Sequence, residues 1–360
     1  MGMDIKIKNG VTFKEDDLES EVKTAIETLK VDLDDEDYSE IKKALEYRFK
    51  IKHTAGSFIF NDYDDVQDWY TNFQPKDQFF WGRYRNHLIN YEKLNINSVN
   101  LLDSVTLVNL MNFIGNPNDC LDKPRLRRGL VIGDVQSGKT ATYGGLICKA
   151  ADADYKIVIL LTGVTESLRK QTQERMEEGI IGFTIRVDKY GKKVKTFKKV
   201  GVGLDNLPPR ATAYTSYQDD FIGESDNIIA TLNQHKSLVM FIVKKNVAVL
   251  KKLYNWLIAQ NQDVLDGYIH VPMLLIDDEA DNASINTKKD KLDPTKTNKI
   301  IREICGSFIN ATYVGFTATP FANAFIDPET TEQMKNSDLF PEHFIYVLPT
   351  PSNYIGPKEI

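Results

Sequence analysis

The consecutive residues Gly133, Asp134, Val135, Gln136, Ser137, Gly138, Lys139 and Thr140 read G-x-x-x-x-G-K-T, and no other stretch restricts the chain as much. Such a loop has meaning only between a strand and a helix. The apolar run 129–132 supplies the strand, and 141–151 reads as the helix. Glycines let the backbone curl until its amide N–H groups converge on a phosphate, and the helix N-terminus adds partial positive charge. In that arrangement Lys139 reaches the β- and γ-phosphates of a nucleotide, and the Thr140 hydroxyl ligates Mg²⁺. A glycine turn with a chance Gly-Lys-Thr is the competing reading, and it leaves the flanking strand and helix unaccounted for.

A second motif complements the first. Residues 271–281 read V-P-M-L-L-I-D-D-E-A-D, a short apolar strand at 273–276 with acids at its C-terminal end. Phosphate hydrolysis needs two carboxylates side by side, one for the metal and one for the attacking water. Asp278 is assigned to Mg²⁺, through water, and Glu279 to polarising the nucleophile. Acids at a buried strand end are costly without such partners. An acidic surface turn is the alternative.

Composition excludes several classes. Of 360 residues, 42% are hydrophobic and 27% charged, as in ordinary globular chains. No apolar run approaches the ~20 residues of a membrane span, and the N-terminus lacks the apolar core of a signal peptide. Cys120, Cys148 and Cys305 are far apart and form no C-x-x-C pair, which points to a reducing, cytoplasmic setting. The formal net charge of -6 argues against a chain that coats nucleic acid by bulk charge, though not against a local basic groove.

Residues 1–120 read as a helical N-terminal domain. Thr12 and Glu15 fit a capping box; Leu18, Val22, Ala25, Ile26 and Leu29 recur at helical spacing, as do Tyr38, Ile41, Leu45 and Phe49. Aromatic residues crowd 58–91; Trp81 and Tyr84 fit either a core or an adenine stack. Asp103 is expected to cap a helix carrying Leu107, Leu110, Met111 and Ile114, stopped by Gly115, Asn116 and Pro117. A loop with Pro124, Arg125, Arg127 and Arg128 then leads to the nucleotide-binding part, assigned to 121–348. There the period turns to α/β alternation, with buried strands at 155–161 and 238–243 and a helix from about Glu166 to Glu177. Residues 185–202 look like a basic hairpin, with Arg186, Lys189, Lys192, Lys193, Lys195, Lys198 and Lys199 around Gly191. It reads either as a phosphate-backbone contact or as a solvated face. Lys244 and Lys245 follow a strand at the edge where α/β folds bind ligands.

Asp278, Glu279, Ala280 and Asp281 spell D-E-A-D, and Thr317, Ala318 and Thr319 spell T-A-T. Together with the G-K-T loop, in this order, they resemble the motifs of superfamily-two helicases. A closer resemblance is to bacterial proteins that carry a "Z-one" endonuclease domain fused to a helicase-like ATPase. It is carried by the strings 128–140, 168–175, 243–246, 275–286 and 315–320 and spans roughly Trp81 onward. The resemblance implies a RecA-like P-loop core with a mainly parallel sheet, ATP and Mg²⁺ as cofactors, and DNA as partner, in a DNA-processing or phage-defence nuclease. It implies coupling roles for Asp281, Thr317 and Thr319, and contact of Arg169, Gln173, Lys244 and Lys245 with the nucleic-acid backbone; solvated helix surface explains those four nearly as well. A second RecA-like lobe and the nuclease domain are expected beyond 360, with 349–360 as linker. Because the second lobe supplies an arginine worth roughly a thousandfold in turnover, weak ATP–Mg²⁺ binding and slow hydrolysis are expected here. A P-loop switch that remodels a protein partner is the alternative. A small-molecule kinase fits less well beside D-E-A-D and T-A-T, because such a kinase needs a lid with arginines and not a second sensor threonine.

Overall fold

The computed structural model describes residues 58–60, 68–71, 73, 75, 77–133, 138–187, 193–205, 207–221, 238–261, 266–281, 296–318, 339 and 341–348. Strand β1 (Phe58–Phe60) comes first, then helices α1 (Phe79–Asn90), α2 (Ile96–Leu101) and α3 (Leu107–Ile114), the last two joined by a π-helical turn at Leu102–Thr106. Strand β2 (Arg125–Ile132) leads to α4 (Lys139–Asp152), β3 (Ile157–Thr162) and α5 (Glu166–Met176). Next come β4 (Phe183–Val187), β5 (Lys193–Phe197), β6 (Ala211–Ala213), β7 (Leu238–Lys244) and α6 (Val247–Asn261). The remainder is β8 (Met273–Asp278), α7 (Lys296–Gly306), β9 (Asn310–Thr317) and β10 (Phe344–Val347).

Seven of the described strands form a parallel sheet in the order β10-β2-β9-β8-β3-β7-β6, and β1 joins β10 antiparallel at its edge. All six residues of β3 and all eight of β9 are buried, the mark of strands covered on both faces. Alternation along β3 divides them: Val158 and Leu160 pack with Trp81, Leu107 and Leu146. Ile159 and Leu161 pack on the other face with Leu253 of α6 and Ile301 of α7. Each such buried aliphatic side chain stabilises the fold by about 1.5–3 kcal/mol.

Helices α1 and α3, assigned by sequence to an N-terminal domain, share one core with the sheet and α4. A glycine in α4 permits the approach. A Cβ at Gly144 would sit 2.2 Å from the Tyr84 hydroxyl, so only glycine lets α1 lie this close. Trp81 and Tyr84 are buried in that packing, as the core reading expects. The helices expected within residues 12–49 lie outside the described residues.

Two local expectations are corrected. Asp103 does not cap a helix; Asn95 does, accepting from the Asn97 N–H, and Asp103 instead pairs with Lys149 at 2.6 Å. The arginines at 125–128 lie in β2 rather than in a loop. Arg127 is held in the interior by donating to the Phe113 carbonyl at the end of α3, and Arg128 by pairing with Glu342. The α3 carbonyls, left unpaired within the helix, attract such donors.

Asp152, at the end of α4, accepts the N–H groups of Phe80 and Trp81 at 2.9 Å each and so ties α4 to the first turn of α1. Burial outweighs those bonds and pushes its carboxyl from 3.8 up to about 6. A carboxyl that holds its proton more tightly in the folded state favours folding at low pH, and that advantage is lost as pH rises. Between about pH 4 and pH 6, wild-type protein is therefore expected to lose stability relative to Asp152→Asn. Urea unfolding midpoints of the two proteins across that range check it; parallel curves would disprove the assignment.

Candidate active site

The C-terminal ends of β2, β9 and β8 lie side by side, because β9 is inserted between the strands carrying the two motifs. Ile132 pairs with Thr317, and Asp278 with Phe316. The Gly133 N–H donates to the Thr317 carbonyl at 3.0 Å, and the Ala280 N–H to the Phe316 carbonyl at 2.9 Å. Two segments about 140 residues apart in sequence thus meet at one sheet edge, where α/β folds place ligands.

On the phosphate side, Gly138 takes φ +78°, a left-handed conformation that favours glycine, and α4 starts directly after it. Lys139 Nζ donates to the Gly133 carbonyl at 2.7 Å, across the base of the loop. Asp134, Val135, Gln136 and Ser137 lie outside the described residues, as does Thr319. Thr317 is buried at the end of β9.

On the acidic side, Asp278 ends β8. Burial first, and then the neighbouring Glu279 charge, push its carboxyl from 3.8 up to about 6. The Tyr143 hydroxyl, one turn into α4, interacts with both Thr140 and Asp278. These two oxygen donors therefore gather around one hydroxyl. A hydroxyl and a single carboxylate fit Mg²⁺, which keeps waters and shares phosphate oxygens, better than a cation caged by protein alone. Among the described residues no cluster of three His, Cys, Asp or Glu exists that could hold a metal unaided.

Glu279 is exposed and has φ +56°, rare for a residue with a side chain. Its carboxylate lies against the loop after β3: a Cβ at Gly163 would meet Glu279 Oε2 at 2.8 Å and Leu168 Cδ1 at 2.5 Å. Asp281 lies two residues on, half-buried.

Of the four residues expected on a nucleic-acid backbone, Arg169, Gln173 and Lys245 are turned inward. Arg169 is fully buried and donates to Glu166 at 2.6 Å and to the carbonyls of Ser216 at 2.8 Å and Tyr217 at 3.1 Å. Gln173 is also fully buried, bonded to Glu177 at 3.0 Å and to Thr215 through both its amide atoms. They moor α5 to the segment after β6. Lys244 pairs with Glu166 at 3.0 Å. Lys245 is buried and faces the acidic motif instead. Neither DNA contact nor a solvated surface describes Arg169, Gln173 or Lys245.

Two site residues were missed by sequence reasoning. Tyr143 follows Thr140 by one helical turn, a spacing that places both on one face. Arg175, noted only as part of a helix, donates to Thr140 Oγ1 at 3.3 Å from the exposed surface of α5; no local pattern signals that contact. The basic hairpin is present as the antiparallel pair β4–β5. Its Lys189, Tyr190, Gly191 and Lys192 lie outside the described residues. Lys198 faces Glu174, Glu177 and Glu178.

The sheet, the G-K-T loop and the D-D-E strand end define an α/β, RecA-like P-loop core. No family model and no curated protein matches the chain. Among solved structures, it is similar to the helicase domain of Hef from Pyrococcus furiosus, at 19% identity and a TM-score of 0.29, over 54% of this chain and 30% of that one. It is also similar to the signal recognition particle receptor FtsY from Elizabethkingia anophelis, at 14% identity and a TM-score of 0.21, over 89% of this chain and 99% of that one. The site therefore rests on this chain's own residues.

Because the Leu168 methyl and the Glu279 carboxylate fill the space beside Gly163, Gly163→Ala is expected to destabilise the protein by about 1 kcal/mol. Part of that cost should vanish in a Glu279→Ala background, with a coupling of about 0.5 kcal/mol or more. A double-mutant cycle of urea unfolding measures it; full additivity would show that the carboxylate lies elsewhere.

Proposed function

We propose that the chain is the ATP-binding and hydrolysing lobe of a helicase- or translocase-like ATPase acting on DNA. The observation that carries this reading is the meeting of the two motifs on three adjacent strands, with Gly133 bonded to Thr317 and Asp278 in register with Phe316. Lys139 binds the β- and γ-phosphates. Thr140 and Asp278 would hold Mg²⁺, which would supply neutralising charge at the phosphates. Glu279 orients and polarises the attacking water, and Asp281 and Thr317 couple the phosphate site to movement. A DNA-processing or phage-defence nuclease, with a second lobe and a nuclease domain as partners, is the setting the resemblance suggests.

DNA contact in this reading shifts to the β4–β5 hairpin. There Arg186, Lys195 and Lys199 are exposed, and the Lys195 ammonium lies 5.4 Å from the centre of the exposed Phe197 ring, a pairing of a cation with a stacking surface. The burial of Arg169, Gln173 and Lys245 favours a second reading, a P-loop switch that remodels a protein partner, since it removes three of the four residues expected on DNA.

ATP turnover with and without single- and double-stranded DNA separates the two. Slow turnover is expected, rising at least about fivefold with DNA. Glu279→Gln should abolish it while nucleotide binding persists. A rate indifferent to DNA selects the protein-remodelling switch, and a rate that survives Glu279→Gln removes both readings.

A further inference from the structure

Among the described residues Lys245 and Asp277 are the most deeply buried charged pair at the sheet edge, and hydrolysis as described above uses neither. Both side chains are fully buried, with Lys245 Nζ 2.7 Å from Asp277 Oδ1. Lys245 follows β7 and reaches past the end of β3 to get there; Thr162 pairs with Lys244 on one side of β3, and Leu161 with Asp277 on the other. From the opposite side, the Tyr313 hydroxyl of β9 donates to Asp277 Oδ2 at 2.7 Å. The ammonium also donates to the Glu279 carbonyl at 2.5 Å.

That last bond completes a clamp. The Glu279 carbonyl and the Ala280 N–H belong to one peptide unit. Lys245 holds its oxygen, and the Phe316 carbonyl takes its N–H at 2.9 Å. The Glu279 N–H is itself bonded to Asp278 Oδ1 at 3.1 Å. Three bonds thus fix the backbone on both sides of the Glu279 Cα. Among the described residues only Lys93, Asp154 and Glu279 have positive φ without being glycine. A side-chain-bearing residue stays in that region when its surroundings over-determine it. The backbone angle in turn aims the carboxylate along Gly163. Asp277 keeps the Lys245 ammonium in place, and Tyr313 keeps Asp277 in place.

We infer that Lys245, set by Asp277 and Tyr313, is a positioning residue that locks the Glu279 backbone in its left-handed turn and so aims the carboxylate that polarises water. The inference rests on the proposed ATPase reading and adds to it a device in the fold that sets the hydrolytic rate without touching nucleotide. A salt bridge with only a structural task would affect folding, binding and turnover together.

The test is the double variant Lys245→Met/Asp277→Asn, which removes both charges so that neither is left buried alone and keeps an acceptor for Tyr313. Its kcat for ATP is expected to fall about tenfold or more, while its Kd for a non-hydrolysable fluorescent ATP analogue with Mg²⁺ shifts less than about twofold. Unchanged kcat, or parallel loss of kcat and affinity, would each overturn the inference. Should the double variant not fold, Tyr313→Phe removes only the outer hydroxyl; it is expected to lower kcat about threefold at unchanged Kd, and an unchanged kcat overturns the lock. Wild-type protein without hydrolysis that depends on Lys139 would instead overturn the ATPase reading, and the lock with it.

Discussion

The insertion of β9 between β2 and β8 is the constraint on which the site depends. A parallel sheet aligns every strand's C-terminal end on one edge, so neighbouring strands deliver their last residues to one place. Here the neighbours bring the phosphate loop, Thr317 and the acidic strand end together. The two backbone bonds from Gly133 and Ala280 onto β9 fix the spacing between the loop and the carboxylates.

Around this edge the chain places charge inside the protein, where it is costly unless paired. Arg127, Arg128, Arg169 and Lys245 all satisfy that condition, each with a carbonyl or a carboxylate. The partners come from distant parts of the chain, so these bonds bind elements together instead of advertising a surface. Basic residues that look like ligand contacts in a linear reading thus become tethers: Arg169 and Gln173 hold α5 to the segment after β6, and Lys245 spans the top of β3.

The helical region before the phosphate loop is part of the same construction. Tyr84 rests on Gly144, and Asp152 accepts two N–H groups from the first turn of α1. The helix that carries Lys139 and Thr140 at its start is thereby buttressed along its length by α1 and α3. The position of Lys139 and Thr140 comes from that packing as much as from the sheet.

The sequence by itself determined the elements whose signals are local: the loop at 133–140, the acidic strand end at 278–279, and the buried strands, whose near-continuous apolar runs follow from cover on both faces. The mainly parallel sheet followed from the alternation of those strands with helices. Tertiary structure alone decided the partners of charged and polar side chains. Lys245 and Arg169 carry no local mark that separates a tether from a ligand contact, because their burial depends on strand order and on segments 32 to 47 positions away. The same holds for Asn95 rather than Asp103 as the helix cap, since Asp103 is drawn off by Lys149 of a helix that folds against it. Hydrophobic period is written along the chain, whereas electrostatic pairing is settled only when the chain has folded and the dielectric around each charge is set.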